Sequence, residues 1–92
     1  MKVIFKESFI TRLENQVDYI AQDSPQRARK FYKELLIRIT QTPLNPYQHR
    51  KSIYFDDVQI RDLIFKGYTI VYRITESAIE VFGFLKFQDS PF

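Results

Sequence analysis

The sequence predicts an α+β domain with the element order β-α-α-β-β-β(-β), in which a helical hairpin packs on an antiparallel sheet. Three observations support this prediction. The first residues alternate as a strand, the next third repeats apolar residues with a helical period, and the last third alternates again between short turns. Ninety-two residues suffice for one hydrophobic core, so the chain is predicted to be a single domain over residues 1–92.

The first strand is predicted at residues 2–6, "KVIFK", where β-forming residues alternate. It is expected to add to one side of the sheet. From Glu7 the period changes to three- and four-residue steps, which places several apolar residues on one helical face. These residues are Ile10, Leu13, Val17 and Ile20. The first helix is therefore predicted at about residues 7–22.

The second helix has an explicit start, because Ser24 can cap it and Pro25 occupies the first helical position. It is predicted at about residues 24–41 and ends at the two prolines of "TPLNP". Its apolar stripe consists of Ala28, Phe31, Tyr32, Leu35, Leu36 and Ile39. Only Asp23 and the capping residue Ser24 separate the two helices, which predicts an antiparallel hairpin.

The other face of this second helix carries five cations and one acid: Arg27, Arg29, Lys30, Lys33, Arg38 and Glu34. Such a face is most simply solvated, and contact with nucleic acid or an acidic protein is the alternative. The net charge of +3 does not decide between these interpretations.

The last third of the chain predicts an antiparallel meander of strands joined by tight turns. "KSIYF" (51–55) is a short strand and "DDV" a turn, followed by the strand "QIRDLIF" (59–65) and a "KG" hairpin turn. "YTIVYRI" (68–74), a "TES" turn and "AIEVFGFLKF" (78–87) complete the sheet.

Composition excludes several classes of protein. The chain has no cysteine, so it contains neither a disulfide nor a thiolate metal site. It has no run near the ~18 apolar residues of a membrane span and no apolar stretch typical of a signal peptide. We therefore expect a cytoplasmic protein that does not associate with membranes.

Familiar catalytic motifs are absent, and the remaining candidates for acid–base chemistry are isolated. His49 is the only histidine, and we favour a solvent-facing loop residue over a general base. Asp56 and Asp57 are adjacent, so their side chains are expected to point to different sides of a polar turn. The sequence predicts no metal and no cofactor.

Three cations on successive predicted strands are the catalytic candidates: Arg61, Arg73 and Lys86. If Arg61 and Arg73 share a sheet face, their guanidinium groups could bind phosphate or carboxylate in a bidentate manner. Alternatively, each reaches a sheet edge or pairs with Asp62 or Glu80. The sequence does not decide between these arrangements.

The segments "YIAQDSPQRARKFYKELL", "IRDLIFKGYTIVYRI" and "AIEVFGFLKF", in this order, resemble the RelE/ParE superfamily of type II toxins. The resemblance covers nearly the whole chain. It implies a RelE/ParE-like fold and a small toxin neutralised by a cognate antitoxin encoded beside it. It also allows a higher oligomer of toxin and antitoxin.

The RelE-like branch of this superfamily consists of ribosome-dependent mRNA endonucleases. Members carry lysines on the strand before the "GY" turn, an arginine directly after that tyrosine, and a basic or aromatic tail. Here Ile60 and Asp62 occupy the lysine positions, Thr69 follows Tyr68, and the tail is "QDSPF". An aspartate near the phosphate would oppose the negative charge that develops there. The nuclease pattern is therefore largely broken.

The ParE-like branch inhibits DNA gyrase by binding, and this chain shares its helical hairpin, arginine strand and cation-poor tail. DNA gyrase is therefore the expected target, with the ribosome as the alternative. Aromatic residues and arginine dominate interface energetics. The expected partner-binding residues are Tyr68, Tyr72, Phe82, Phe84, Phe87, Arg61 and Arg73. The core is expected to use about half of these aromatic residues.

Overall fold

Two helices lie across one face of a five-stranded sheet in the computed structural model, which describes residues 1–86. The elements are β1 (Lys2–Phe5), α1 (Glu7–Asp23), α2 (Pro25–Thr40), a 3-10 turn (Thr42–Leu44), β2 (Arg50–Lys51), β3 (Ile60–Phe65), β4 (Tyr68–Ile74) and β5 (Ala78–Lys86). The strand order in the sheet is β1-β5-β4-β3-β2. The predicted α+β class is confirmed.

The helical hairpin forms where the local sequence predicts it. The backbone N–H of Arg27 donates to Ser24 Oγ over 3.1 Å, and Pro25 occupies the first helical position of α2. This bond satisfies one of the N–H groups that the first turn leaves without a helical partner. Ser24 alone connects the two helices, and α2 turns back there along α1.

The sheet is mixed, because β1 pairs in parallel with β5 while the other neighbouring strands pair antiparallel. The predicted antiparallel meander of the last three strands is confirmed, and β1 lies at one edge as expected. The parallel direction of β1 departs from the antiparallel sheet that the sequence predicts, because alternation within a strand identifies the strand but contains no information about its partner.

The predicted strand at residues 51–55 is wrong beyond its first residue. Only Arg50 and Lys51 pair with β3. The N–H of Ser52 then donates to the carbonyl of Ile60 over 2.8 Å, and the next N–H donates to a side chain instead of the ladder. Residues 52–59 consequently form a loop, in which Ile53 and Phe55 contact the sheet face opposite the helices. We call this face of the sheet the back face.

The main core lies between the hairpin and the helix face of the sheet. It contains Phe9, Leu13, Phe31, Leu35 and Ile39 from the helices, and Leu63, Phe65, Ile70, Tyr72, Ile74, Ile79, Val81 and Phe84 from the sheet. Large aromatic side chains contribute much of this buried surface, as expected for a small domain.

A bulge interrupts the pairing of β4 with β5. Tyr72 lies opposite Val81, whereas the preceding Val71 lies opposite Gly83, so Phe82 is the extra residue. A bulge changes the direction of the side chain that it carries. The glycine after it is sterically required, since a Cβ at position 83 would lie 2.9 Å from the Val71 Cβ.

Replacing Gly83 with alanine is therefore expected to destabilise the protein by about 1–3 kcal/mol, the usual cost of overpacking. Chemical denaturation measures this change, and Val71→Ala in the same chain should not restore the loss, because alanine retains the Cβ that makes the closest contact. Full stability of Gly83→Ala alone would contradict the close contact between β4 and β5.

Candidate functional site

The register of β3 and β4 places the two candidate arginines on opposite faces of the sheet. Arg61 lies opposite Tyr72, and Arg73 lies opposite Ile60. Residues directly opposite each other project to the same face, whereas successive residues alternate. Arg61 is therefore on the helix face and Arg73 on the back face. The two arginines do not share a face of the sheet, so they do not form a common phosphate or carboxylate site.

The Arg61 guanidinium holds two loops against β3. Its Nε donates to the carbonyl of Val58 over 2.9 Å, and its Nη1 donates to the carbonyl of His49 over 3.2 Å. It also lies 4.9 Å from the ring centroid of Tyr47, a favourable cation–π distance. These contacts give Arg61 a structural role at the sheet edge, one of the alternatives that the sequence left open.

Lys86 lies far along the sheet from both arginines, opposite Tyr68 at the end of β5. Its Nζ is 5.4 Å from the ring centroid of Tyr19 on α1. The three cations of the predicted site thus belong to three separate environments. The structure does not bring them together around one anion.

Two of the expected partner-binding aromatics belong to the core. Tyr72 is 1% exposed, and its hydroxyl donates to the carbonyl of Pro46 over 2.6 Å. Phe84 is 6% exposed and its ring packs 5.2 Å from that of Tyr68. Both side chains point to the helix face, so neither contributes an exposed surface here. Phe87 lies outside the described residues.

Burial raises the pKa of the Tyr72 phenol, which keeps this hydroxyl a donor. The folded state therefore favours the protonated form, and its stabilising contribution is complete below pH ~10, the ordinary pKa of tyrosine. The contribution decreases as the pH rises beyond that value. Tyr72→Phe should cost about 1 kcal/mol at pH 7 and should lose less stability than the unmodified protein between pH 10 and 11.

Denaturation curves at pH 7, 10 and 11 measure both effects. Tyr19→Phe is the matched control, since Tyr19 is exposed on α1. An equal alkaline loss of stability in Tyr72→Phe and the unmodified protein would contradict this assignment.

The back face carries an exposed aromatic patch, of which only Phe82 and Arg73 are among the residues predicted from the sequence. The ring centroids of Phe55 and Phe82 are 5.7 Å apart, and the Arg73 guanidinium lies 5.7 Å from the Phe82 ring. Phe82 is half-buried, whereas Arg73, Phe55 and the adjacent loop residues Ile53 and Tyr54 are exposed. We call these five residues the back-face patch. The run "IYF" is the sequence signal for the loop part of this patch, but its β-forming residues predict a strand.

Asp62 is buried beneath this patch and anchors the loop that forms it. Its Oδ2 accepts hydrogen bonds from Arg50 Nη2 over 3.2 Å and from the backbone N–H of Ile53 over 3.1 Å. Within residues 1–86, Oδ1 has no hydrogen-bond partner. Asp62 is thus buried and paired with Arg50, and this position of β3 supplies no cation to the back face.

The other acid–base candidates do not form a catalytic group. His49 is half-buried, with its ring centroid 6.1 Å from that of Tyr72, so the expectation that it faces solvent is only partly met. Burial, and then the charge of Arg38, lower the pKa of His49, so the imidazole is neutral at pH 7.

The acid pair forms a polar turn, as predicted. Asp57 Oδ1 accepts from the N–H of Gln59 over 2.8 Å, and Asp56 pairs with Lys51 over 3.2 Å. In residues 1–86, no three potential metal-ligating side chains cluster together. Over the same residues, neither helix has the length and apolar character needed to cross a membrane.

Comparison with known proteins identifies the family. The family model described as the ParE toxin of the type II toxin–antitoxin system parDE matches residues 3–89, which is nearly the entire chain. A comparison with individual curated proteins gave no significant match. The match agrees with the hairpin-on-sheet architecture described above. This chain belongs to the ParE toxin family of type II toxin–antitoxin systems.

Proposed function

We propose that the chain inhibits DNA gyrase by binding it, and that a cognate antitoxin neutralises the chain by covering its binding surface. The observation that carries the proposal is the separation of Arg61, Arg73 and Lys86, together with the exposed back-face patch. A binding protein needs a surface of this kind, whereas a nuclease needs cations that converge on one phosphate.

The chemistry of RNA cleavage also favours a binding protein over a nuclease. A metal-free ribonuclease needs a base for the 2′-hydroxyl, a cation for the phosphate and an acid for the leaving oxygen. The positions that carry lysine or arginine in the RelE-like branch hold Ile60, Asp62 and Thr69 here, and all three are buried. None supplies a cation.

The proposed contact surface combines the back-face patch with Tyr68. In the patch, Arg73 and Phe82 are adjacent, and arginine and aromatic residues are typical centres of binding energy. Tyr68 is half-buried on the helix face, where its hydroxyl accepts from Gln16 Nε2 over 2.8 Å. A surface with parts on both faces fits a long, flexible partner segment that wraps around the domain.

An apolar groove of about 200 Å³ supports a partner of this kind. It is lined by Phe5, Phe9, Ile10, Leu13, Glu14, Tyr32 and Leu36, and it opens between β1 and the helical hairpin. An antitoxin segment that is disordered alone could fold with its apolar side in this groove. Its acidic residues would then face the basic surface of the toxin.

The test compares DNA supercoiling with translation. The purified chain is expected to stop supercoiling by DNA gyrase and to cause accumulation of cleaved DNA. Adding the product of the neighbouring antitoxin gene should reverse both effects, and the two proteins should co-purify at micromolar concentration. Failure to form any complex would contradict antitoxin neutralisation.

Primer extension on translated mRNA tests the alternative enzyme directly. We expect no cuts at the ribosomal A site with the unmodified chain. Discrete cuts that disappear in Arg61→Ala or Arg73→Ala would instead establish a ribosome-dependent endonuclease with a rearranged site.

A further inference from the structure

The positive charge of this protein is concentrated on α2. This helix contains five cations and one carboxylate, a net charge of +4, whereas the whole chain carries +3. The remainder of the chain is therefore slightly acidic. Such an asymmetric distribution creates a local positive potential that the small overall charge conceals.

Two of the α2 cations already have partners. Arg27 pairs with Asp23, and the Arg38 guanidinium lies 5.8 Å from the ring centroid of Phe65. The single acid, Glu34, accepts a hydrogen bond from Lys66 of the β3–β4 turn over 2.8 Å. This bond is the main reason why the pKa of Glu34 is lowered. Glu34 therefore pairs mainly with Lys66, which lies outside α2.

The other three cations form an outer cationic stripe: Arg29, Lys30 and Lys33. All three are exposed, and none makes an ion pair with an acidic side chain of residues 1–86. At about 100° per residue, they lie within an arc of roughly 100° on the side of α2 opposite Leu35. Arg29 and Lys33 are about 6 Å apart along the helix axis.

The surroundings of the stripe favour a phosphate backbone over a protein partner. The same arc also contains only Gln26, Ile37 and Thr40, so it lacks the aromatic centre of a protein interface. Lysine is depleted at protein interfaces, whereas lysine and arginine supply most contacts to nucleic-acid phosphates. The absence of an aromatic residue in this arc also disfavours stacking on unpaired bases, and therefore favours a duplex.

We propose that the outer cationic stripe binds the phosphate backbone of double-stranded DNA without sequence preference. The choice of DNA over duplex RNA rests on the proposed function, because double-stranded DNA is the substrate of gyrase. Contacts of this type release counterions, so affinity decreases steeply as the salt concentration rises.

The test is fluorescence anisotropy with a labelled 20-bp DNA duplex and the full chain, at a series of salt concentrations from 50 to 200 mM. The stripe variant carries Arg29→Gln, Lys30→Gln and Lys33→Gln, and glutamine retains helix propensity. The matched control carries Lys2→Gln, Lys6→Gln and Lys51→Gln, which remove the same charge from exposed sites. Circular dichroism confirms that both variants are folded.

The stripe variant should reduce the slope of log affinity against log salt by about 2–3, as expected for the loss of up to three phosphate contacts. The control variant should keep the slope of the unmodified chain. Equal reductions in both variants, or no binding by the unmodified chain at 50 mM salt, would overturn the proposal. Tighter binding to an RNA duplex of the same sequence, or stripe-dependent binding to an acidic polyglutamate peptide in place of DNA, would overturn it as well.

Gyrase supercoiling measured on the same samples separates this inference from the proposed function. Gyrase inhibition without stripe-dependent DNA binding would refute only the proposal that the outer cationic stripe binds DNA. Stripe-dependent DNA binding without gyrase inhibition would refute only the proposed target.

Discussion

Replacing Phe9 with alanine is expected to reduce the free energy of unfolding by about 3–5 kcal/mol. Phe9 is fully buried where α1, β1 and β5 meet. Its ring lies 5.8 Å from that of Phe5 and 5.9 Å from that of Phe84. The substitution removes these contacts and leaves a cavity that three different elements would have to fill.

A loss of this size is a large part of the total stability of a small domain, which is about 5–15 kcal/mol. Chemical denaturation measures it, and Phe55→Ala is the matched control because Phe55 is 43% exposed on the back face. The control should lose far less stability. Similar losses in the two variants would mean that Phe9 is not at the centre of the core.

Replacing Phe82 with alanine is expected to weaken antitoxin binding by at least about 30-fold, the effect of losing an interface residue worth about 2 kcal/mol. Phe82 is the bulged residue of β5, and it contacts both Phe55 and Arg73. Its removal takes away the ring around which the back-face patch is organised. Isothermal titration calorimetry with the antitoxin measures the change.

Tyr19→Ala is the control for this second prediction. Tyr19 is an exposed aromatic residue on α1, away from the back face. A stronger effect of Tyr19→Ala than of Phe82→Ala would move the binding surface to the helical side. Thermal unfolding of both variants distinguishes lost contacts from lost folding.

The residues of the exposed surface were predictable from the sequence only in part. Composition and family resemblance indicated that aromatic residues and arginine of the last strands would bind a partner. Phe82 and Arg73 do lie in an exposed patch, and their binding role stays a prediction. Tyr72 and Phe84, chosen by the same criterion, are buried. The bulge at Phe82 and the loop at residues 52–59 determine which of these side chains lie at the surface and which lie in the core.

The helices and the strand meander were determined by the sequence itself, because their signals are local. A capping serine before a proline starts α2, a three- and four-residue period identifies the buried faces, and short turns separate alternating strands. The relations between strands were decided only by tertiary structure. Successive side chains of a strand point to opposite faces, but this alternation does not tell which residues of two strands lie opposite each other. A shift of the register by one residue moves every side chain of a strand to the other face. The sequence alone therefore allowed the side chains of Arg61 and Arg73 to share one face of the sheet. The register of β3 and β4 places them on opposite faces.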